Sequence, residues 1–294
     1  MLHATPAAAE KRAAFRAGLN SGTLQRFPGA FNPLSANLIE RQGFEGVYIS
    51  GAVLSADLGL PDIGLTTIAE VSDRAQQVAR VTALVDADTG FGEPMNAART
   101  VQLLEDAGVA GMHLEDQVNP KRCGHLDGKD VVEMAAAVRR ISAAVSARRD
   151  PDFVVAARTD AAGVNGLDDA IERAKAFADA GADLIFPGAM TGPADFEKMR
   201  AAVDVPILAN MTEFGKSKLL DAPTLESLGV NLVIYPVTLL RIAMHAAGAA
   251  LREIAGEGTQ EGLLDRMQHR RDLYDLLDYQ SYATFDQNIF TFSV

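Results

Sequence analysis

The feature that most limits what this chain can fold into is a recurring punctuation. Gln42-Gly43, Ala107-Gly108, Ala180-Gly181 and Leu228-Gly229 each close an amphipathic segment a few residues before a short apolar run. Glycine reaches the left-handed conformation that ends a helix and turns the chain towards a sheet. The apolar runs fall at 24–30, 46–51, 83–88, 111–116, 152–160, 183–188, 206–211 and 231–236. Most are long enough for a buried strand and too short for a helix. Their near-continuous apolarity suits parallel strands covered on both faces. Helical patterns lie between them, at 94–107, 131–147, 168–180 and 239–255. Eight strand candidates alternating with helices, without an obvious linker, predict an α/β fold. The expected architecture is a (β/α)₈ TIM-type barrel of about 250 residues plus additions. An open doubly wound sheet is the alternative, but no G-x-G-x-x-G follows the first run and no Walker glycine loop is present. Residues 1–294 are read as one barrel domain with a helical tail from about 258. That tail reads as a polar helix from 259 to about 282 and then an aromatic-rich coil. It is more than one barrel needs and suits packing on another subunit.

Composition narrows the function class. The 294 residues carry 27 Lys and Arg against 39 Asp and Glu, a net charge of −12, with a single cysteine. One thiol forbids an intrachain disulfide, and nothing points to an oxidising compartment. The acid excess argues against a general nucleic-acid binder, which needs a clustered basic surface. No stretch reaches the ~18 apolar residues of a membrane span. Residues 1–15 lack the apolar core of a secretory signal. A soluble cytoplasmic protein with no nucleic-acid or membrane partner is expected.

Polar residues gather where the strand candidates end, the place where barrel active sites form. The ends read Tyr48-Ile49-Ser50-Gly51, Asp86-Ala87-Asp88, His113-Leu114-Glu115-Asp116 and Arg158-Thr159-Asp160, with Asn210 and Thr212 closing the seventh. Residues two apart on a strand share a face. Asp86 with Asp88, and His113 with Glu115, are therefore expected to point together into the barrel mouth. Two close carboxylates repel unless a cation sits between them. A hard divalent ion, Mg²⁺ for preference, satisfies that pair while keeping several waters. The plainer reading is that Asp-x-Asp caps the next helix or pairs with Arg99. Lys121-Arg122-Cys123-Gly124-His125 is a second constellation, a loop by composition. Two cations and a histidine around the thiol lower its pKa and make it a competent proton donor. Against this stands the ordinary buried, inert cysteine.

These residues carry a family resemblance. The Lys121–His125 segment resembles the signature loop of the isocitrate lyase and phosphoenolpyruvate mutase superfamily. So do Leu58-Gly59-Leu60-Pro61-Asp62, Asp86-Ala87-Asp88-Thr89-Gly90-Phe91-Gly92, His113-Leu114-Glu115-Asp116-Gln117, Ala157-Arg158-Thr159-Asp160 and Ala209-Asn210-Met211-Thr212-Glu213-Phe214-Gly215. The match runs from about residue 27 to 290, and the length under 300 is similar to the 2-methylisocitrate lyase branch. The resemblance implies Mg²⁺-dependent cleavage of 2-methylisocitrate to pyruvate and succinate, in the methylcitrate route of propionate breakdown. It also implies a homotetramer of barrels whose eighth helix is exchanged between subunits.

Carried residue by residue, it makes Asp86 and Asp88 the metal ligands, with Asp62 and Glu115 organising their surroundings. Arg158 stabilises the aci-carboxylate product, Cys123 delivers the proton, and Tyr48 is the candidate base. A phenol with its ordinary pKa near 10 needs nearby cations for that last role, and a core tyrosine is the other reading. Ser50, Gly51, Ala52, Gly124, His125, Gly188, Asn210, Thr212, Arg241 and Arg270 fall at substrate-binding positions. Two positions depart from the pattern. Ala52 replaces a second glycine, and Phe186-Pro187-Gly188-Ala189 stands where the family reads Phe-Pro-Glu-Ala. Gly188 removes a carboxylate from the barrel mouth. Activity is then altered, or water and nearby carboxylates compensate. A sister activity on dimethylmalate or oxaloacetate, and a silent dicarboxylate-binding relative, remain open beside the lyase reading.

Overall fold

The structure is a computed structural model that describes residues 6–122, 128–215 and 217–290. The chain divides into two compact units, Ala7–Leu239 and the stretch from Leu240 onward. The first holds eight strands: β1 (Gln25–Pro28), β2 (Val47–Ile49), β3 (Ala83–Asp86), β4 (Gly111–Glu115), β5 (Val154–Thr159), β6 (Leu184–Pro187), β7 (Leu208–Asn210) and β8 (Leu232–Tyr235). All pair in parallel, in the orders β1-β8-β7 and β2-β3-β4-β5-β6. This is an α/β fold with parallel sheets. The continuous ladders stop at two seams, where single parallel bridges remain, Gly29 to Tyr48 and Ile185 to Ile207.

The near-continuous apolarity of the runs has a direct structural cause: both strand faces are buried, each in its own core. Val85, Met112, Val155, Ile185 and Val233 face the helical layer and pack with Val101, Leu104, Ile141 and Phe177. Residues one position away face inward, where Leu84, Val154, Ala156, Leu184, Leu208, Leu232 and Ile234 form a second cluster. The helix Ala8–Leu19 adds Phe15 and Leu19 to that inner cluster. Its Arg12 donates to Val109 O (3.0 Å) and Glu105 O (2.6 Å) and pairs with Asp150 at 2.9 Å.

Two sequence expectations need correction. The helix expected over 131–147 is Met134–Ala147, because Val131 is drawn into an antiparallel bridge with Gln117. The tail is not one helix followed by coil. It comprises a 3₁₀ segment, Glu261–Arg266, and the helices Arg270–Leu276 and Tyr279–Phe290. The break between the helices falls at Asp278, whose φ is +55°. The helix Thr238–Glu257 contains no buried residue and exposes Ile242, Met244 and Leu251. Among the described residues no helix is long and apolar enough to cross a membrane.

Gly29 shows how tightly β1 and β8 approach at the end of their ladder. A Cβ there would lie 1.9 Å from the carbonyl oxygen of Pro236, just past β8. Gly29→Ala is expected to lower the unfolding free energy by about 2 kcal/mol or more through overpacking, measured by urea titration. An unchanged midpoint would mean that the Pro236 backbone yields freely.

Candidate active site

The site is assembled by the two-residue period of the strands. Tyr48, Asp86, His113, Glu115 and Arg158 all lie in the inward register. The ladders set Asp86 beside His113, Glu115 beside Arg158 and Arg158 beside Phe186. Asp88 and Asp160 continue that register beyond their strands. Non-local pairing thus gathers side chains from β2 to β6 at one end of the sheet.

Asp86 and Asp88 are nearly buried, 7% and 5% exposed. Asp86 Oδ2 accepts from Gly51 N at 3.1 Å, and Oδ1 accepts from Asp88 N at 3.1 Å. A Cβ built on Gly51 would stand 3.1 Å from Asp86 Oδ2 and 3.2 Å from Asp88 Oδ1. The two carboxylates therefore flank one small space that only a glycine at 51 leaves open. Lys121 pairs with Asp62 and stands 2.8 Å from Asp88 Oδ1, yet no well-aligned hydrogen bond reaches that oxygen. Burial would lower the Lys121 pKa, but Asp86, Asp88, Glu115 and Asp62 outweigh it and keep the ammonium charged. Burial and then the Asp86 charge push Asp88 up to about 6. Burial would raise Asp86 too, but His113, Lys121 and Arg158 hold it below the usual carboxylate range. Asp62 thus acts on the pair through Lys121.

This donor set fits a hard divalent ion. It offers carboxylate oxygens around a common space, one of them without a proper donor. Among the described residues no group of three or more His, Cys, Asp or Glu makes a closed cage. An ion held by one or two carboxylates keeps its other positions for water or substrate oxygens.

Tyr48 is buried, and its hydroxyl lies 2.8 Å from His113 Nε2 and 3.3 Å from Asp86 Oδ2. His113 Nδ1 has no partner, and burial lowers the imidazole pKa to about 4. An orphaned buried donor is costlier than an orphaned lone pair. The network therefore assigns the proton to Nε2, which donates to Tyr48, and Tyr48 donates to Asp86. Burial first, and then Asp86, push the phenol well above its usual range. The Tyr48 hydroxyl thus stands where it orients Asp86, and the base role expected for it needs a cation to offset that carboxylate.

Arg158 is held as a planar fork, with Nη1 3.0 Å from Glu115 and Nη2 3.0 Å from Asp160. Its guanidinium carbon lies 4.9 Å from the centroid of the Phe186 ring, while its Nε and Glu115 Oε1 have no hydrogen-bond partner. Burial pushes Glu115 up, against the pull of Arg158. Burial would also raise Asp160, but Arg158 and Lys129 hold it at about 2. The space at Gly188 is taken, since a Cβ there would meet Asp160 Oδ1 at 2.7 Å. A carboxylate from β5 thus stands beside the position where the family carries one on β6.

Other expected positions separate into groups. Ser50 is buried as the cap residue of the helix Gly51–Asp57, Ala52 is half-buried, and Thr212 Oγ1 donates to Asn210 Oδ1 at 2.6 Å. A cavity of about 540 Å³ borders Asp88 and Lys121, walled by Thr66, Phe91 and Asn119 among others. Cys123, Gly124 and His125 lie outside the described residues. Arg241 and Arg270 belong to the C-terminal unit, where Arg270 lines a cavity of about 360 Å³ with His269 and Tyr274. Sequence reasoning quoted Gln117 and Asp160 inside motifs but assigned them no role. Their polarity next to buried strand ends was the signal available.

The profile of the family described as Phosphoenolpyruvate phosphomutase matches residues 15–255. A relative from Corynebacterium glutamicum named "Probable 2-methylisocitrate lyase 2" is 66% identical over 97% of this chain and 94% of its own. A 2-methylisocitrate lyase from Escherichia coli is 44% identical, covering 94% of this chain and 95% of its own. Among solved structures, an oxaloacetate acetylhydrolase bound to 3,3-difluorooxalacetate superposes with a TM-score of 0.91 at 32% identity, over 98% of this chain and all of that one. A phosphonopyruvate hydrolase complex with oxalate and Mg²⁺ gives a TM-score of 0.85 at 28% identity, over 94% and 98% of the two chains.

The double use of Lys121 gives a stability test. Lys121→Met leaves Asp62 and Asp88 facing each other without their cation and is expected to cost about 3 kcal/mol, the usual penalty for breaking a buried pair from one side. Adding Asp88→Asn should recover part of the loss in urea titrations. Equal stability of Lys121→Met and the parent would show that the pair is solvated.

Proposed function

Because this chain belongs to the phosphoenolpyruvate phosphomutase family, we propose that it is a carbon–carbon lyase cleaving 2-methylisocitrate to pyruvate and succinate. The observation that carries the reading is the site itself. A two-carboxylate cradle suited to a divalent ion shares the inward strand face with a half-buried arginine fixed by Glu115 and Asp160, on a chain 66% identical to a named 2-methylisocitrate lyase. We read the two sheets and their seam bridges as one (β/α)₈ barrel with this cradle at its mouth.

Asp86 and Asp88 would hold a divalent ion, Mg²⁺ by preference, whose Lewis acidity would lower the substrate hydroxyl's pKa and offset the adjacent carboxylate. The chain's own residues do the rest. Gly51 N, Tyr48 and Asp88 N aim Asp86. The substrate hydroxyl gives its proton to the Tyr48 oxygen as phenolate, the candidate base; the hydroxyl oxygen becomes the carbonyl of pyruvate and the neighbouring C–C bond breaks. The bond's electron pair passes to the aci-carboxylate of the nascent succinate. Arg158, fixed before the reaction by Glu115 and Asp160, stabilises that charge where water is excluded. Cys123 then gives its proton to the carbon and completes succinate. Ser50, Asn210 and Thr212 supply donors for substrate carboxylates.

The reading extends to assembly. The apolar residues exposed along the helix Thr238–Glu257 support a homotetramer with an exchanged eighth helix, bringing Arg241 and Arg270 to substrate sites. Cytoplasmic residence is part of the same proposal. Light scattering should give four protomer masses; a monomer would remove the exchange.

The decisive measurement is turnover with Mg²⁺ and with a chelator, read as pyruvate from 2-methylisocitrate and dimethylmalate, glyoxylate from isocitrate and oxalate from oxaloacetate. Release should be fastest from 2-methylisocitrate, stop on chelation and return with Mg²⁺. No pyruvate from 2-methylisocitrate would overturn the reading. A preference for oxaloacetate, cleaved to oxalate and acetate, would favour the activity of the structural neighbour. Cys123→Ser should lower kcat by at least about 100-fold, the usual share of a positioned proton donor; full activity would remove Cys123 from that role.

A further inference from the structure

Gln117 and Asp160 enter none of the steps above as acting groups, although each is only 1% exposed. Their bonds run from the stem of the segment carrying Cys123 to Arg158. That stem is a short antiparallel ladder in which Gln117 bridges Val131. Val118 N donates to Asp130 O, and Val132 N to Asp116 O, each at 2.9 Å. Val118 and Asp130 are therefore held side by side at one fixed base.

From within that base the Gln117 side chain reaches Arg122, the residue before Cys123. Oε1 accepts from Arg122 N at 2.8 Å, and Nε2 donates to Arg122 O at 2.9 Å. This is the two-point pairing a neighbouring strand would give. The same Nε2 donates to Asp160 Oδ2 at 3.0 Å. Asp160 pairs in turn with Arg158 at 3.0 Å and with Lys129 at 3.2 Å. The outgoing arm is thus tied to Asp160 through Gln117, and the returning arm through Lys129. The same carboxylate also holds the guanidinium.

We propose that Gln117 and Asp160 form a clasp that positions the lyase reaction, fixing where the chain departs towards Cys123 relative to Arg158. The inference rests on the roles given above to Cys123 and Arg158. Proton donor and stabilising cation must serve one small fragment at once, so their relative placement is a catalytic quantity. A misplacement of about 1 Å can cost on the order of 100-fold. Only an amide performs the linkage: a carboxylate at 117 accepts from Arg122 N but loses both donations and faces Asp160 as a like charge.

The chain has one cysteine, so thiol alkylation reads Cys123 directly and without substrate. Gln117→Met keeps the volume and removes the amide, and Asp160→Asn removes the charge. Each is expected to lower kcat by about tenfold or more with KM within about threefold, a misplacement effect. Each should also change the iodoacetamide rate by at least about threefold, since that rate follows access and thiolate character. The double variant should fall no further than the worse single, as residues in one network do. A merely structural role would shift the melting temperature and leave kcat and alkylation alone. Wild-type values of both in the folded variants would overturn the clasp. Should Gln117→Met not fold, Gln117→Glu carries the same expectation. A changed alkylation rate with unchanged kcat would keep the clasp and count against Cys123 as proton donor, which Cys123→Ser tests separately.

Discussion

The constraint on which the rest depends is charge balance in a dry place. Asp86, Asp88, Glu115 and Asp160 are buried on one side of the strands. Each desolvated carboxylate would cost several kcal/mol if left alone. Few cations meet them, and the structure uses each more than once. Lys121 serves Asp62 and Asp88, and Arg158 serves Glu115 and Asp160. The balance is incomplete, since Asp88 Oδ1 and Glu115 Oε1 keep no well-aligned donor. Those unfilled lone pairs, one of them 2.8 Å from the Lys121 ammonium, are what a divalent ion or a transferable proton can engage. The packed strands beneath hold the groups close enough for it to persist.

Much of this was legible in the residues because it depends on local period. Strand runs, the glycines that close helices and the two-residue spacing of Asp86 with Asp88 or His113 with Glu115 follow from backbone geometry. What escaped was long-range. Val131 left its helical pattern because Gln117 offered it a bridge. Asp160 read as one letter of a motif because its partners Gln117 and Lys129 lie tens of residues away in the chain. Tyr48 carried no mark of whether cations or an acid would surround it. Only the packing of β2 against β3 and β4 places it beside Asp86 and a neutral His113. Arg241 and Arg270 fall in the C-terminal unit, outside the unit that carries the strands.

A net charge of −12 looks hostile to a tricarboxylate substrate. Net charge governs bulk behaviour, whereas binding follows the field inside the cleft. There the charged groups are Lys121, Arg158 and Lys129, and the carboxylates that neutralise them in the resting state also hold them still. Preorganised donors of this kind stabilise developing charge without rearranging at the moment of reaction.

The same reasoning bears on Gly188. Read as a lost carboxylate, it suggests a weakened relative that binds dicarboxylates and does nothing more. Yet the adjacent space holds the Asp160 carboxylate, engaged with Arg158, Lys129 and Gln117 at 3.0–3.2 Å. A protein that only binds its ligand has no need to tie its anion-stabilising arginine to the stem of a cysteine-bearing segment. Binding alone is satisfied by complementarity to the ground state, whereas a shared anchor for cation and proton donor serves a charge that exists only during reaction. The linkage through Asp160 therefore argues for turnover.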